Sequence, residues 1–296
     1  MSVLILLNSR AGALYSGGIT DPAGIVERAF ATAGQDAEVA LIEPKELDQE
    51  LERARESRHE TVIVGGGDGT FSNALGKLAD SGKTLGLLPL GTMNLLGRDL
   101  GFPADDLEIM AEALAHGEVR KIDLATINGR PFHTLAGIGY FSRVARNRER
   151  TRLSIPLGRL ISVMLSVWRS VTQTGRISMD ITLDGKEMQA HAYAALVTSN
   201  RIGNDWRRPH LDEGLLELHL MRQTHLAGRA KAGLELISGR WREGDSIESI
   251  VAKEIDIRMS RPRVWLAVDG ELWREPTPLH FRIEKAKISM LTPRSA

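Results

Sequence analysis

The sequence predicts an α/β protein in two parts: an N-terminal parallel-sheet α/β domain and a C-terminal antiparallel β-sandwich domain. Three observations predict it. Through residues 1–120, short apolar runs alternate with amphipathic helical stretches joined by short links, the pattern of a parallel sheet covered on both faces. After Arg120 the alternation has period two, and Asn128-Gly129 and Asp184-Gly185 punctuate it as hairpin turns. The third is length: 296 residues suffice for two ordinary hydrophobic cores.

In order, residues 3–7 are an apolar run that reads as a buried strand; without a basic flank it is too short for a signal peptide. Asp21-Pro22 supplies an N-cap and a proline for the first helical turn, opening a helix to about Ala33. Strands follow at Val39–Ile42, Thr61–Val64 and Thr84–Leu88, with helices at Pro44–Ser57, Phe71–Ala79 and Asp105–Ala115. In the second part, strands are predicted at Lys121–Thr126, Pro131–Gly137, Ile177–Leu183, Glu187–Thr198 and Leu215–Met221. Others follow at Glu248–Arg258, Arg263–Val268, Leu279–Ile283 and Ala286–Leu291, with helical insertions near 155–170 and 225–237.

Composition narrows the function classes. Thirty-eight basic and 38 acidic side chains cancel, so no whole-molecule field points to nucleic acid. There is no cysteine, which excludes disulfides, thiolate metal sites and a cysteine nucleophile, and fits a reducing, cytoplasmic compartment. Leu153–Trp168, the longest other apolar-leaning segment, contains Pro156, Gly158, Arg159 and serines and is not a membrane span.

The chemistry sits in three short stretches. Val62-Ile63-Val64-Gly65-Gly66-Gly67-Asp68-Gly69-Thr70 follows a strand and precedes a helix, which puts its loop at the carboxyl end of a parallel sheet, where ligands bind. Glycines there bring backbone N–H groups close to phosphate oxygens, the helix start adds positive potential, and Thr70 can cap that helix. No G-x-G-x-x-G dinucleotide fingerprint can be placed on the run. Read plainly, it is a tight strand-to-helix turn with Asp68 as a solvated cap. The second stretch, Leu88-Pro89-Leu90-Gly91-Thr92-Met93-Asn94, also follows a strand; alone it is an N-cap, but paired with the first it favours a nucleotide. The third, Val268-Asp269-Gly270-Glu271, reads equally as a hairpin turn.

Gly66-Gly67-Asp68-Gly69-Thr70, Pro89-x-Gly91-Thr92-x-Asn94 and Asp269-Gly270-Glu271, in that order, resemble the soluble diacylglycerol kinase family, which includes bacterial lipid kinases and the sphingosine and ceramide kinases. The first element is shared with NAD kinases, with a close relative in phosphofructokinases; the second separates lipid kinases from them. Asn8 with Gly12, Gly137-Ile138-Gly139 and Leu211-Asp212-Glu213-Gly214-Leu215-Leu216-Glu217 extend the likeness. Departures are Ser9 for a usual proline, and Leu95 and Phe141 for usual aspartates. In addition, Glu213 and Glu217 stand in a segment whose aspartates hold a structural magnesium in some bacterial members.

The resemblance implies an ATP-dependent kinase acting with Mg2+ on a lipid hydroxyl, that of diacylglycerol or a related lipid. It implies a nucleotide-binding domain of NAD kinase/phosphofructokinase-like type over 1–120 with a returning segment 279–296, and a lipid-acceptor domain over 121–278. A cleft between the domains is expected to hold Asp269 and Glu271. Asn8, Gly66, Gly67, Gly69, Thr70, Gly91, Thr92 and Asn94 are expected at the nucleotide, and Asp68, Glu213 and Glu217 at metal. Asp269 is assigned as general base, Asp68 as metal or acceptor-side acid and Glu271 as metal partner or orienter, with the first two roles exchangeable. The alternatives are an NAD kinase, whose Asn-Glu nicotinamide signature is not evident, and a catalytically silent lipid- or nucleotide-binding member.

Arg143, Arg146, Arg148, Arg150 and Arg152 precede Leu157, Leu160, Ile161, Met164, Leu165 and Trp168 at helical spacing. This reads either as a segment docking on an anionic membrane surface or as a solvated face leading into a core helix. Trp206-Arg207-Arg208 reads as a phosphate contact or a surface loop. A homodimer is compatible with the sequence, and no nucleic-acid partner is expected.

Overall fold

The computed structural model describes residues 2–16, 18–103, 106–139, 175–222, 242, 244 and 247–294. The predicted basic segment, its amphipathic helix and the insertion near 225–237 lie outside the described residues. The first elements are β1 (Ser2–Asn8), α1 (Gly12–Ser16), α2 (Pro22–Thr32), β2 (Asp36–Ile42), α3 (Leu47–Glu56), β3 (Thr61–Gly66), α4 (Asp68–Leu78), β4 (Thr84–Pro89), α5 (Leu95–Asp99) and α6 (Leu107–Ala115). Then follow β5 (Glu118–Ile127), β6 (Arg130–Phe132), β7 (Leu135–Gly139), β8 (Ile177–Leu183), β9 (Lys186–Ala192) and β10 (Ala194–Ser199). The chain continues through β11 (Leu216–Met221), β12 (Ile247–Ala252), β13 (Glu254–Met259), β14 (Arg263–Val268), β15 (Glu271–Pro276) and β16 (Leu279–Thr292). It divides into two compact units, Met1–Leu124 with Glu284–Ala296, and Ala125–Ile283.

In the first unit β2, β1, β3 and β4 lie side by side and parallel, and the C-terminal part of β16 adds a fifth parallel neighbour beside β4. The helices form where caps and patterning place them. Asp21 Oδ1 accepts the Gly24 N–H at 2.9 Å at the start of α2, with Pro22 in the first turn, and Asp106 accepts from Glu108 and Ile109 at the start of α6. Val3, Ile5 and Leu7 share one face of β1 and pack with Val26 and Phe30 of α2 and Met110 and Leu114 of α6. Each such buried side chain contributes about 1.5–3 kcal/mol. Leu279–Ile283 and Ala286–Leu291, predicted as two strands, are one. Ala286 bends it with φ of 53°, and its N–H donates to the buried Asp123 carboxylate at 2.8 Å.

The second unit is antiparallel. One sheet runs β12-β11-β10-β7-β14-β15; the other strands of the unit are β5–β6, β8–β9, β13 and the first residues of β16. Ile181, Ile255, Ile257 and Phe281 from the latter set share one core with Ile138, Val197, Leu218 and Leu266 from the former, as a sandwich requires. Three predicted strands each prove to be two. Pro131–Gly137 breaks at His133-Thr134, Glu187–Thr198 at Tyr193 and Glu248–Arg258 at Lys253. At each break the chain leaves one set of paired strands for the other, and the period-two alternation runs through the crossing, so sequence pattern does not register it.

Candidate active site

In the first unit the loops after β1, β3 and β4 meet at the carboxyl ends of these strands. The loop after β3 is pressed against the loop after β4. Leu90 donates to Gly66 O at 2.8 Å, and a Cβ placed on Gly91 would stand 2.5 Å from Gly67 Cα. Only glycine at position 91 permits that approach, and a Cβ on Gly67 would stand 3.2 Å from Gly91 Cα, so the two backbone stretches lie side by side. The loop after β1 joins them: Asn8 Nδ2 donates to Thr70 Oγ1 at 3.2 Å, and Ala13 donates to Leu90 O at 3.0 Å.

Two side chains expected at the nucleotide prove to build the loops. Asn94, with φ of 46°, accepts the Gly91 N–H at 2.8 Å and donates to Pro89 O and Gly91 O at 2.8 and 3.0 Å. Its amide is spent on folding its own loop. Thr70 does not cap α4. That helix starts at Asp68 with Gly67 as cap residue and no side-chain cap, so Thr70 lies inside the first turn, buried against Gly66 and Asn8. Gly69 is half-buried in the same turn, and Thr92 is exposed. Asp68 Oδ1 accepts the Leu95 N–H at 2.7 Å, at the start of α5, tying the first loop to the second. These residues would fit a polyphosphate, with glycine backbone, the amino end of α4 and the exposed Thr92 as donors and the Asp68 carboxylate beside them.

The third stretch lies in the second unit. Asp269 and Gly270, with φ of 48° and 88°, are the centre of a two-residue hairpin between β14 and β15. The turn carries more than a turn needs. Asp269 Oδ2 accepts the His133 N–H at 2.8 Å and Oδ1 accepts those of Thr134 and Leu135 at 3.0 Å, exactly where the chain crosses between sheets, and the side chain is 0 % exposed. Glu271, two residues on, is exposed. Arg208 is no phosphate contact: it is buried, and its guanidinium donates to His133 O, Ser199 O and Thr134 Oγ1. Arg207 beside it is exposed.

Glu213 and Glu217, expected at a structural metal, hold arginines. Glu213 accepts from Arg201 N at 2.9 Å and Arg201 Nη1 at 2.7 Å. Glu217 Oε2, buried, accepts from Ile202 N at 3.1 Å and Arg242 Nη2 at 2.6 Å. His219 Nε2 lies 3.4 Å from the same oxygen. Burial pushes the His219 imidazole down to about 4, against the pull of Glu217 and with help from Arg242. With both Glu213 oxygens and Glu217 Oε2 engaged by guanidinium and amide donors, the two glutamates do not fit a divalent ion as they stand. Among the described residues no cluster of three or more acidic or histidine ligands exists. Neither Arg201 nor Arg242 was anticipated, because each lies outside the acidic segment and no local spacing marks it.

The parallel sheet with glycine loops at its carboxyl ends, joined in one chain to an antiparallel sandwich, defines a two-part α/β protein of the NAD kinase-like type. Residues 2–127 match the diacylglycerol kinase catalytic domain. A diacylglycerol kinase of Staphylococcus carnosus (strain TM300) is 28% identical over 280 residues, which cover 93% of this chain and 87% of that protein. One of Bacillus subtilis (strain 168) is 28% identical over 216 residues, 71% of this chain and 70% of that one. A crystal structure of a diacylglycerol kinase from Bacillus anthracis str. Sterne superposes with a TM-score of 0.72 at 20% identity, covering 98% of this chain and 96% of that one. Residues 2–127 are thus similar to the catalytic domain of diacylglycerol kinases, and these relatives support a kinase, a phosphotransferase.

Proposed function

We propose that the protein is an ATP-dependent lipid kinase that transfers the γ-phosphoryl group to a lipid hydroxyl, that of diacylglycerol or a related lipid. The observation that carries this is the pair of apposed loops, Gly66–Thr70 and Pro89–Asn94, braced by Asp68 and Asn94 around the Gly67–Gly91 contact. The names of the relatives favour a lipid acceptor over NAD.

In this reading the backbone of residues 66–70 and 91–92 binds the phosphates of ATP. Asp68 would hold the Mg2+ that accompanies ATP, whose chemistry there would be to neutralise charge on the transferred group. Asp68 also fixes the second loop through Leu95, so binding and loop geometry depend on one carboxylate. The lipid oxygen forms a bond to the γ-phosphorus as the bond to the β-phosphate oxygen breaks, and the hydroxyl proton passes to a carboxylate. The family resemblance gives that proton to Asp269. Its burial and its three backbone donors make it instead the residue that positions the hairpin, and the exposed Glu271 takes the role of base. Peripheral contact with an anionic membrane surface belongs to the same reading, as the place where the acceptor resides.

Glu271→Gln separates the assignments. It removes the base at an exposed position, so turnover of ATP with diacylglycerol is expected to fall ~100-fold or more while the melting temperature holds. Near-normal turnover would return the base to another residue.

A further inference from the structure

We infer that the segment Glu213–Glu217 is held by two guanidinium groups in the place of a divalent cation, so that the second unit needs no metal to keep its fold. Glu217 is buried, so its carboxylate is costly unless a cation or donors face it. Here each end of the segment has its own cation. Arg201 closes a ring on Glu213 with its backbone N–H to Oε2 and Nη1 to Oε1. At the other end Arg242 spans a second ring: Nε donates to Ile202 O at 2.6 Å while Nη2 and Ile202 N both donate to Glu217 Oε2.

Both rings close on the same stretch, because Arg201 and Ile202 are adjacent residues. The glutamate segment is thereby fastened to the chain just beyond β10, and Asn200 N donates to Leu215 O at 2.9 Å between the two rings. A divalent ion in this place would have to displace guanidinium donors from both carboxylates. The Glu217 side chain is 3 % exposed, and an arginine ligand on a buried carboxylate cannot be removed without leaving a buried charge. A planar guanidinium reaches a backbone carbonyl and a carboxylate at once, which a lysine does not. This inference concerns folding and stands whether or not the proposed kinase reaction is correct.

The test is thermal unfolding of the full chain, stripped with EDTA and free of nucleotide, then supplied with millimolar MgCl2 or CaCl2. The melting temperature is expected to be the same in all three conditions, whereas Arg242→Ala lowers it by about 5 °C or more. Arg242→Lys, which keeps the charge but not the fork, is expected to recover only part of that loss. A saturable rise with Mg2+ that disappears in Glu217→Gln would overturn the inference. A rise that disappears in Asp68→Asn and persists in Glu217→Gln would place the ion in the first unit and uphold it. Should Arg242→Ala fail to fold, Arg201→Ala tests the exposed ring. There the melting temperature is again expected to be the same with and without metal, and a saturable Mg2+ stabilisation of the wild-type protein that disappears in Glu213→Gln would overturn the inference.

Discussion

Asp269 illustrates what a motif hides. Its neighbours, Gly270 and Glu271, mark a turn next to an acid, and the sequence leaves turn and catalytic acid as alternatives. The structure shows the turn and gives the acid a second task, gathering the N–H groups of residues 133–135. Asp269→Ala strands three backbone donors, two of them buried, so it is expected to cost about 3 kcal/mol, read by urea unfolding. Equal stability of mutant and wild type would show that those contacts carry nothing. His219 makes a pH prediction at the same scale. Its imidazole is held at about 4 when folded, against 6.5 for the free group. The unfolded chain therefore binds more protons between these values, and stability falls as pH drops from about 6.5 towards 4, by roughly 3 kcal/mol in all. Unfolding of His219→Gln should lack this slope; an unchanged slope would assign it to other groups. No local pattern announced either role, because both depend on partners far away in sequence.

Among elements, the strand-to-helix connections after β3 and β4 were legible because glycines, Pro89 and the helical patterning beyond them are local signals. Their mutual packing was not: the Gly67–Gly91 approach joins two loops whose sequences say nothing of each other. Gly91→Ala is expected to push the loops apart, since the new methyl would meet backbone rather than a flexible side chain. ATP affinity measured by calorimetry should drop ~10-fold or more, while Asn94→Ala, which loses the latch within one loop, weakens it as well and costs about 2 kcal/mol of stability. Unaltered affinity in Gly91→Ala would mean that the apposed loops do not bind the nucleotide. The three strands predicted whole and found split have a common cause: a sheet change preserves alternation, so periodicity runs through the break. The short helices α1 and α5, of five residues each, were missed because so few residues carry no measurable periodicity.

At the scale of the whole chain, the change of texture near residue 120 is close to where β5 passes from one unit to the other, and the last strand belongs to both. Residues 279–282 of β16 pair with β13, and residues 289–291 pair with β4. Removing residues 284–296 is therefore expected to open the edge of β4 and strip Leu291 from the first core, giving an insoluble chain or one with reduced helical circular dichroism. A soluble, fully helical truncation would contradict this. Among the described residues no helix is long and apolar enough to cross a membrane. The central claim is the transfer itself. Incubating the protein with γ-labelled ATP, Mg2+ and diacylglycerol-containing vesicles, with Asp68→Asn as control, tests it most directly. Label in phosphatidic acid from the wild type and none from the mutant is the predicted result; label appearing in NADP from added NAD, or in no lipid at all, would contradict it.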